Sequence, residues 1–178
     1  MSKIITFDKG NSFYNNGWTD AEMNNLYDNI IRVGKKCTKD KGQCESAGFI
    51  LYDTKKIKVM DLNFSDVKEK AEAMDKFVNK LSDPGVTTGI LISEAWVTDE
   101  HANRHEAILI SSKSVTFYFT IIVKFHRCAD GTIKFDEPIS EQGNFAKGHN
   151  FGKAFDLPIP GAIRCYINKA GKIVIPAH

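Results

Sequence analysis

SVTFYFTIIVKFHR, residues 114–127, decides the fold. Phe117, Phe119, Ile121, Val123 and Phe125 alternate with Tyr118, Thr120, Ile122, Lys124 and His126. Neighbouring side chains of a strand point to opposite faces, so this period of two predicts a central β-strand with the first five residues on its buried face. Upstream, VTTGILISEAWVT (86–98) and EAILISS (106–112) read as two more strands. Downstream, Asp130-Gly131 predicts a tight turn into the strand TIKFDEP (132–138). A glycine-rich loop runs from about Gln142 to Pro160, and AIRCYINKAGKIVIPA (162–177) reads as a closing hairpin.

The N-terminal half alternates differently. The first fifteen residues read as a loop or loose edge strand. Thr19 is placed as an N-cap, with Glu22 three residues on completing a capping box. Met23, Leu26, Tyr27, Ile30, Ile31 and Val33 follow at near-helical spacing, and Gly34 is placed to end that helix. After a polar connection from Lys35 to Ser46, GFILYD and KIKVMDLNF flank Thr54-Lys55 as a hairpin. A second helix starts at Ser65, carries Val67, Ala71, Met74, Phe77, Val78 and Leu81 on one stripe, and stops at Asp83-Pro84-Gly85. No strand–helix–strand alternation is present, which argues against a doubly wound parallel sheet. The expected fold is α+β: one domain over 1–178, two main helices packed on an antiparallel sheet of about six strands.

Bulk properties narrow the function. The 178 residues suffice to bury one core, and 42% hydrophobic with 26% charged residues is ordinary for a globular chain. A net charge of +2 does not by itself imply a polyanionic partner. Residues 144–178 hold five cations (Lys147, Lys153, Arg164, Lys169, Lys172) against Asp156, giving +4, while the preceding stretch holds 19 basic and 21 acidic residues, giving −2. Arg32, Lys35, Lys36, Lys39 and Lys41 form a second basic cluster, read as solvated surface. MSKIITFDKG has no apolar signal-peptide core, and no apolar run reaches the roughly 20 residues that cross a bilayer. A cytoplasmic protein is therefore expected, with no membrane partner. Cys37, Cys44, Cys128 and Cys165 are expected as free thiols, since their spacing matches neither a zinc ligand set nor a redox pair. Phosphate-loop, dinucleotide, zinc-protease and nucleophile-elbow motifs are missing, and no cofactor is expected. His101 and His105 lie four apart but in a connection between strands, and read as exposed loop residues.

Two constellations remain as candidate sites. Strand alternation puts Ile92, Glu94 and Trp96 on one face, and Arg104 and Glu106 fall on the next strand. A carboxylate on an apolar face needs a cation, so Glu94 is expected to pair with Arg104. That pair either fixes strand register or serves acid–base chemistry with Glu106. The second candidate is the loop GNFAKGHNFGKAF, 143–155, with a short repeat in which Asn144, Phe145 and Lys147 recur as Asn150, Phe151 and Lys153 around His149. Aromatic faces stack on bases and ammonium groups neutralise phosphate, so this composition suits a nucleotide or single strand. The plainer reading is a loop pinned to the sheet by its phenylalanines.

Ser93, Glu94, Ala95 and Trp96, followed by Arg104 and Glu106 at the start of the next strand, resemble a group of small phage-borne and bacterial proteins of unassigned function. The resemblance spans about residues 60–125 and departs where His105 separates Arg104 from Glu106. It implies a phage or mobile-element setting, hence a host-cell cytoplasm, and supplies no mechanism. The leading expectation is a non-catalytic accessory protein binding a protein or nucleotide-like ligand, with Trp96 and the 143–155 loop at the contact, to block a host system. The alternatives are a small enzyme acting on a phosphorylated or nucleotide substrate through Glu94, Glu106 and Arg104, and a nucleic-acid binder using the basic C-terminal third.

Overall fold

A computed structural model describes residues 17–114 and 117–144, together with the backbone of 164–167 and 173–174. It is α+β, with two helices packed on a sheet whose central path is β2-β1-β3-β4-β5-β6. These strands are β1 (Ala47–Tyr52), β2 (Ile57–Asp61), β3 (Val86–Thr98), β4 (Arg104–Ser114), β5 (Phe117–Arg127) and β6 (Ile133–Phe135). Every pairing along the path is antiparallel. β7 (Ile139–Asn144) adds to β5 beside β6; the sequence reading placed the end of this segment, from Gln142, in a loop. β8 (Arg164–Ile167) and β9 (Ile173–Val174) form the expected closing hairpin, and β8 joins the edge of β3 in parallel.

The period-two reading of β5 holds from Phe119 onward, while the Phe117 side chain lies outside the described residues. Phe119, Ile121, Val123 and Phe125 are buried on one face, and Ile122 and Thr120 are buried on the other, as a central strand requires. The first face lies under α1 (Asp20–Lys41), whose Met23, Tyr27, Ile30 and Ile31 join Ile90, Ile92, Ile108, Ile110 and the β5 residues in one core. The opposite face receives α2 (Val67–Lys80) at the β1 end. Phe77 and Leu81 there pack with Ile50, Leu62 and Leu91. Ala95, Val97, Ala107, Leu109 and Ile122 make a third cluster further along that face.

The start of α1 is as expected. Thr19 Oγ1 accepts from the Glu22 amide, and Glu22 Oε2 accepts from the Thr19 amide at 2.9 Å. Its end is not at Gly34. The helix continues through Lys41 and stops at Gly42, which takes the left-handed φ of 78°. Gly34 faces the sheet instead, where an added Cβ would stand 2.8 Å from Ile92 Cδ1. The missing side chain lets the helix approach the sheet closely, and Thr38 continues the buried stripe one turn on. Val33, assigned to that stripe, is exposed. Among the described residues, no helix is long and apolar enough to cross a membrane.

Candidate functional site

The β3–β4 register separates the residues expected to pair. Thr98 is opposite Arg104, Trp96 opposite Glu106 and Glu94 opposite Ile108. Glu94 and Arg104 share a face but lie four positions apart, about 13 Å along the strands. Their expected ion pair therefore does not form. Arg104 lays its guanidinium 4.8 Å from the centre of the half-exposed Trp96 ring. Glu94 Oε2 accepts from the Cys44 amide at 2.9 Å. Glu106 holds Arg127 in a bidentate pair at 2.8 and 2.9 Å, and Arg127 also donates to the Gly42 carbonyl at 2.7 Å. That pairing holds the Arg127 charge firmly, raising its already high pKa.

Both carboxylates thus fasten the chain that leaves α1, residues 42–44, down onto the sheet. Burial first, and then the neighbouring Cys37 and the Glu94 carboxylate, push the Cys44 thiol up to about 12. Cys37, Cys44 and Cys128 are free thiols, while Cys165 lies where only backbone is described. A double-mutant cycle should return no measurable coupling for Glu94 with Arg104. For Glu106 with Arg127 it should return a favourable coupling within the 0–1 kcal/mol typical of an exposed pair. The reverse order of the two couplings would contradict this register.

Of the second candidate, Gly143 and Asn144 form the last residues of β7, paired to Tyr118 and Phe117. Phe145, Lys147, His149, Asn150, Phe151 and Lys153 lie outside the described residues.

A concavity among the described residues lies elsewhere. Between α1 and the β6–β7 connection lies an open groove of about 890 Å³, a size suited to a small ligand. One wall is a single stripe of α1, spaced by three and four residues: Asn25, Asp28, Asn29, Arg32, Lys35, Lys36 and Lys39. Glu137 and Pro138 form the other wall, and Ile31 contributes apolar surface. Lys36 pairs with Asp40 one turn on. Among the described residues, Arg32, Lys35 and Lys39 have no carboxylate partner. Arg32 donates to Asn29 Oδ1 at 3.2 Å, and the Lys35 and Lys39 ammonium groups sit 5.5 and 5.7 Å from the Phe135 ring centre. That shared ring draws two like charges to one end of the groove.

The cations of this stripe were visible in the sequence, but not their alignment. Ending the helix at Gly34 assigned Lys35, Lys36 and Lys39 to a loop, where the three-and-four spacing has no meaning. A second grouping was also hidden. His105 belongs to β4, not to the connection, and its ring centre lies 6.1 Å from that of His126 on β5. His101 alone remains in the turn, which Asp99 organises by accepting from the amides of His101 and Asn103 at 2.9 Å each. No family model, curated protein or solved structure matches this chain.

Proposed function

We propose that this chain is an accessory protein that binds an anionic, nucleotide-like ligand in the groove between α1 and residues 137–138. The observation that carries the reading is the alignment of Arg32, Lys35 and Lys39, none of them ion-paired among the described residues, along one wall of a concavity of nucleotide size that also holds Asp28 and Glu137. A run of phosphates laid beside the stripe meets a cation at each turn of the helix. Asn25 and Asn29 supply donors and acceptors for the polar edge of a base, and Ile31 and Pro138 supply apolar contact for its face. The small phage-borne setting implied by the Ser-Glu-Ala-Trp resemblance suits a protein that withholds such a ligand from a host system. Glu94 and Glu106 support this role only indirectly, by fixing the chain that follows α1.

Fluorescence anisotropy with a labelled nucleoside triphosphate tests it. Saturable binding should weaken as salt rises, because the attraction is between solvent-facing charges. A cation about 4 Å from a phosphate in water is worth about 1 kcal/mol, so changing Arg32, Lys35 and Lys39 together to Ala should cost on the order of a hundredfold in affinity. The folded state should barely notice, since surface substitutions usually change stability within about 0.5 kcal/mol. Unchanged affinity in the triple variant would remove the groove from the account.

A further inference from the structure

On the sheet face opposite α1, near the far end of β4 and β5, two imidazoles face each other. His105 on β4 and His126 on β5 lie just beyond the last registered pair of these strands, Glu106 with Phe125, with ring centres 6.1 Å apart and ring planes at 88°. Each is held by its own carboxylate. Asp99, in the β3–β4 turn, meets His105 Nε2 at 3.0 Å, and Asp136, just after β6, meets His126 Nε2 at 3.0 Å. A carboxylate on Nε2 fixes the tautomer and leaves Nδ1 as the nitrogen for proton exchange. The His105 contact in turn holds the Asp99 carboxyl well below the usual range. Lys124, half-buried and two residues before His126, approaches Asp136 at 3.6 Å. Lys134 is opposite His126 on β6, so it belongs to the same face.

The cluster offers two oriented proton carriers and two cations, but no serine, threonine or cysteine among its six members. A substrate for such a site has to bring its own nucleophile. A ribonucleotide chain does, as the 2′-hydroxyl beside each phosphodiester. With ring centres 6.1 Å apart, both imidazoles can reach one phosphodiester laid across them, since each hydrogen bond spans roughly 3 Å. We propose that His105 and His126 are an acid–base pair that cleaves single-stranded RNA by internal phosphoryl transfer. One neutral imidazole takes the 2′-hydroxyl proton while O2′ forms its bond to phosphorus. The P–O5′ bond breaks as the other, protonated imidazole gives its proton to O5′. The products are a 2′,3′-cyclic phosphate and a 5′-hydroxyl, with no change in oxidation state and no co-reactant. Lys124 and Lys134 balance the charge gathering on the non-bridging oxygens. Asp99 and Asp136 are positioning residues.

The site shares no residue with the groove, so either reading can fail alone. The test uses the full chain with a fluorophore–quencher RNA 12-mer of mixed sequence, its all-deoxy counterpart, and a His126→Ala protein prepared in parallel. RNA should be cut to cyclic-phosphate ends, the deoxy strand should stay intact, and the rate should be bell-shaped in pH. His126→Ala, at a half-exposed position, should keep the fold and lose about 10²–10⁴-fold in rate; His105→Gln guards against a folding defect in His105→Ala. Asp136→Asn should move the pH profile with a smaller loss, which a merely structural hydrogen bond would not do. No RNA cleavage, cleavage that survives His126→Ala, or equal cleavage of the deoxy strand would each overturn the proposal.

Discussion

Phe119→Ala is expected to lower folding stability by about 3–5 kcal/mol, the range for truncating a fully buried phenylalanine. Phe119 is the third residue of β5, between Ser112 of β4 and Gln142 of β7, with its ring centre 5.0 Å from that of Tyr27. Removing it opens a void where α1 meets the sheet. The void cannot collapse readily, because paired strands on both sides hold the backbone in place. Tyr27 is itself fixed, buried and donating its hydroxyl to Ser112 Oγ. Denaturant unfolding should show a lower midpoint with an unchanged slope. A loss below roughly 1 kcal/mol would mean that α1 does not cover this face.

Phe77→Ala is expected to cost a similar 3–5 kcal/mol, but to act on the other layer. Phe77 is the one large side chain that α2 buries completely, and it fills the space above Gly48. A Cβ at Gly48 would stand 2.6 Å from two atoms of that ring, so ring and glycine are fitted to each other. Gly48→Ala should itself cost about 1–3 kcal/mol through overpacking. In Phe77→Ala, hydrogen exchange should lose protection in α2 before β4 and β5, because the two cores lie on opposite faces of the sheet. Uniform loss across the molecule would contradict separate cores.

The sequence made the sheet legible because β5 carries a strict period of two and its neighbours are long and apolar. Thr19 and Glu22 marked the start of α1 because a capping box is a local motif, complete within four residues. Gly34 misled because a glycine ends a helix or lets it approach a neighbour, and only the packing against Ile92 distinguishes the two. That error also broke the cationic stripe. Glu94 and Arg104 were placed on adjacent strands, as the register has them. Their separation depends on the turn at Asp99–Asn103, whose length fixes the register. His105 and His126 are 21 residues apart, and nothing local brings them together before that register is known.

The most direct test of the groove is a chemical-shift titration of the backbone amides with a nucleoside triphosphate. The largest changes should fall on Asn25–Lys39 and Glu137, follow one saturation curve, and vanish in the Arg32, Lys35 and Lys39 triple variant. Saturating shifts centred away from α1, or none at millimolar ligand, would contradict the groove as the binding site.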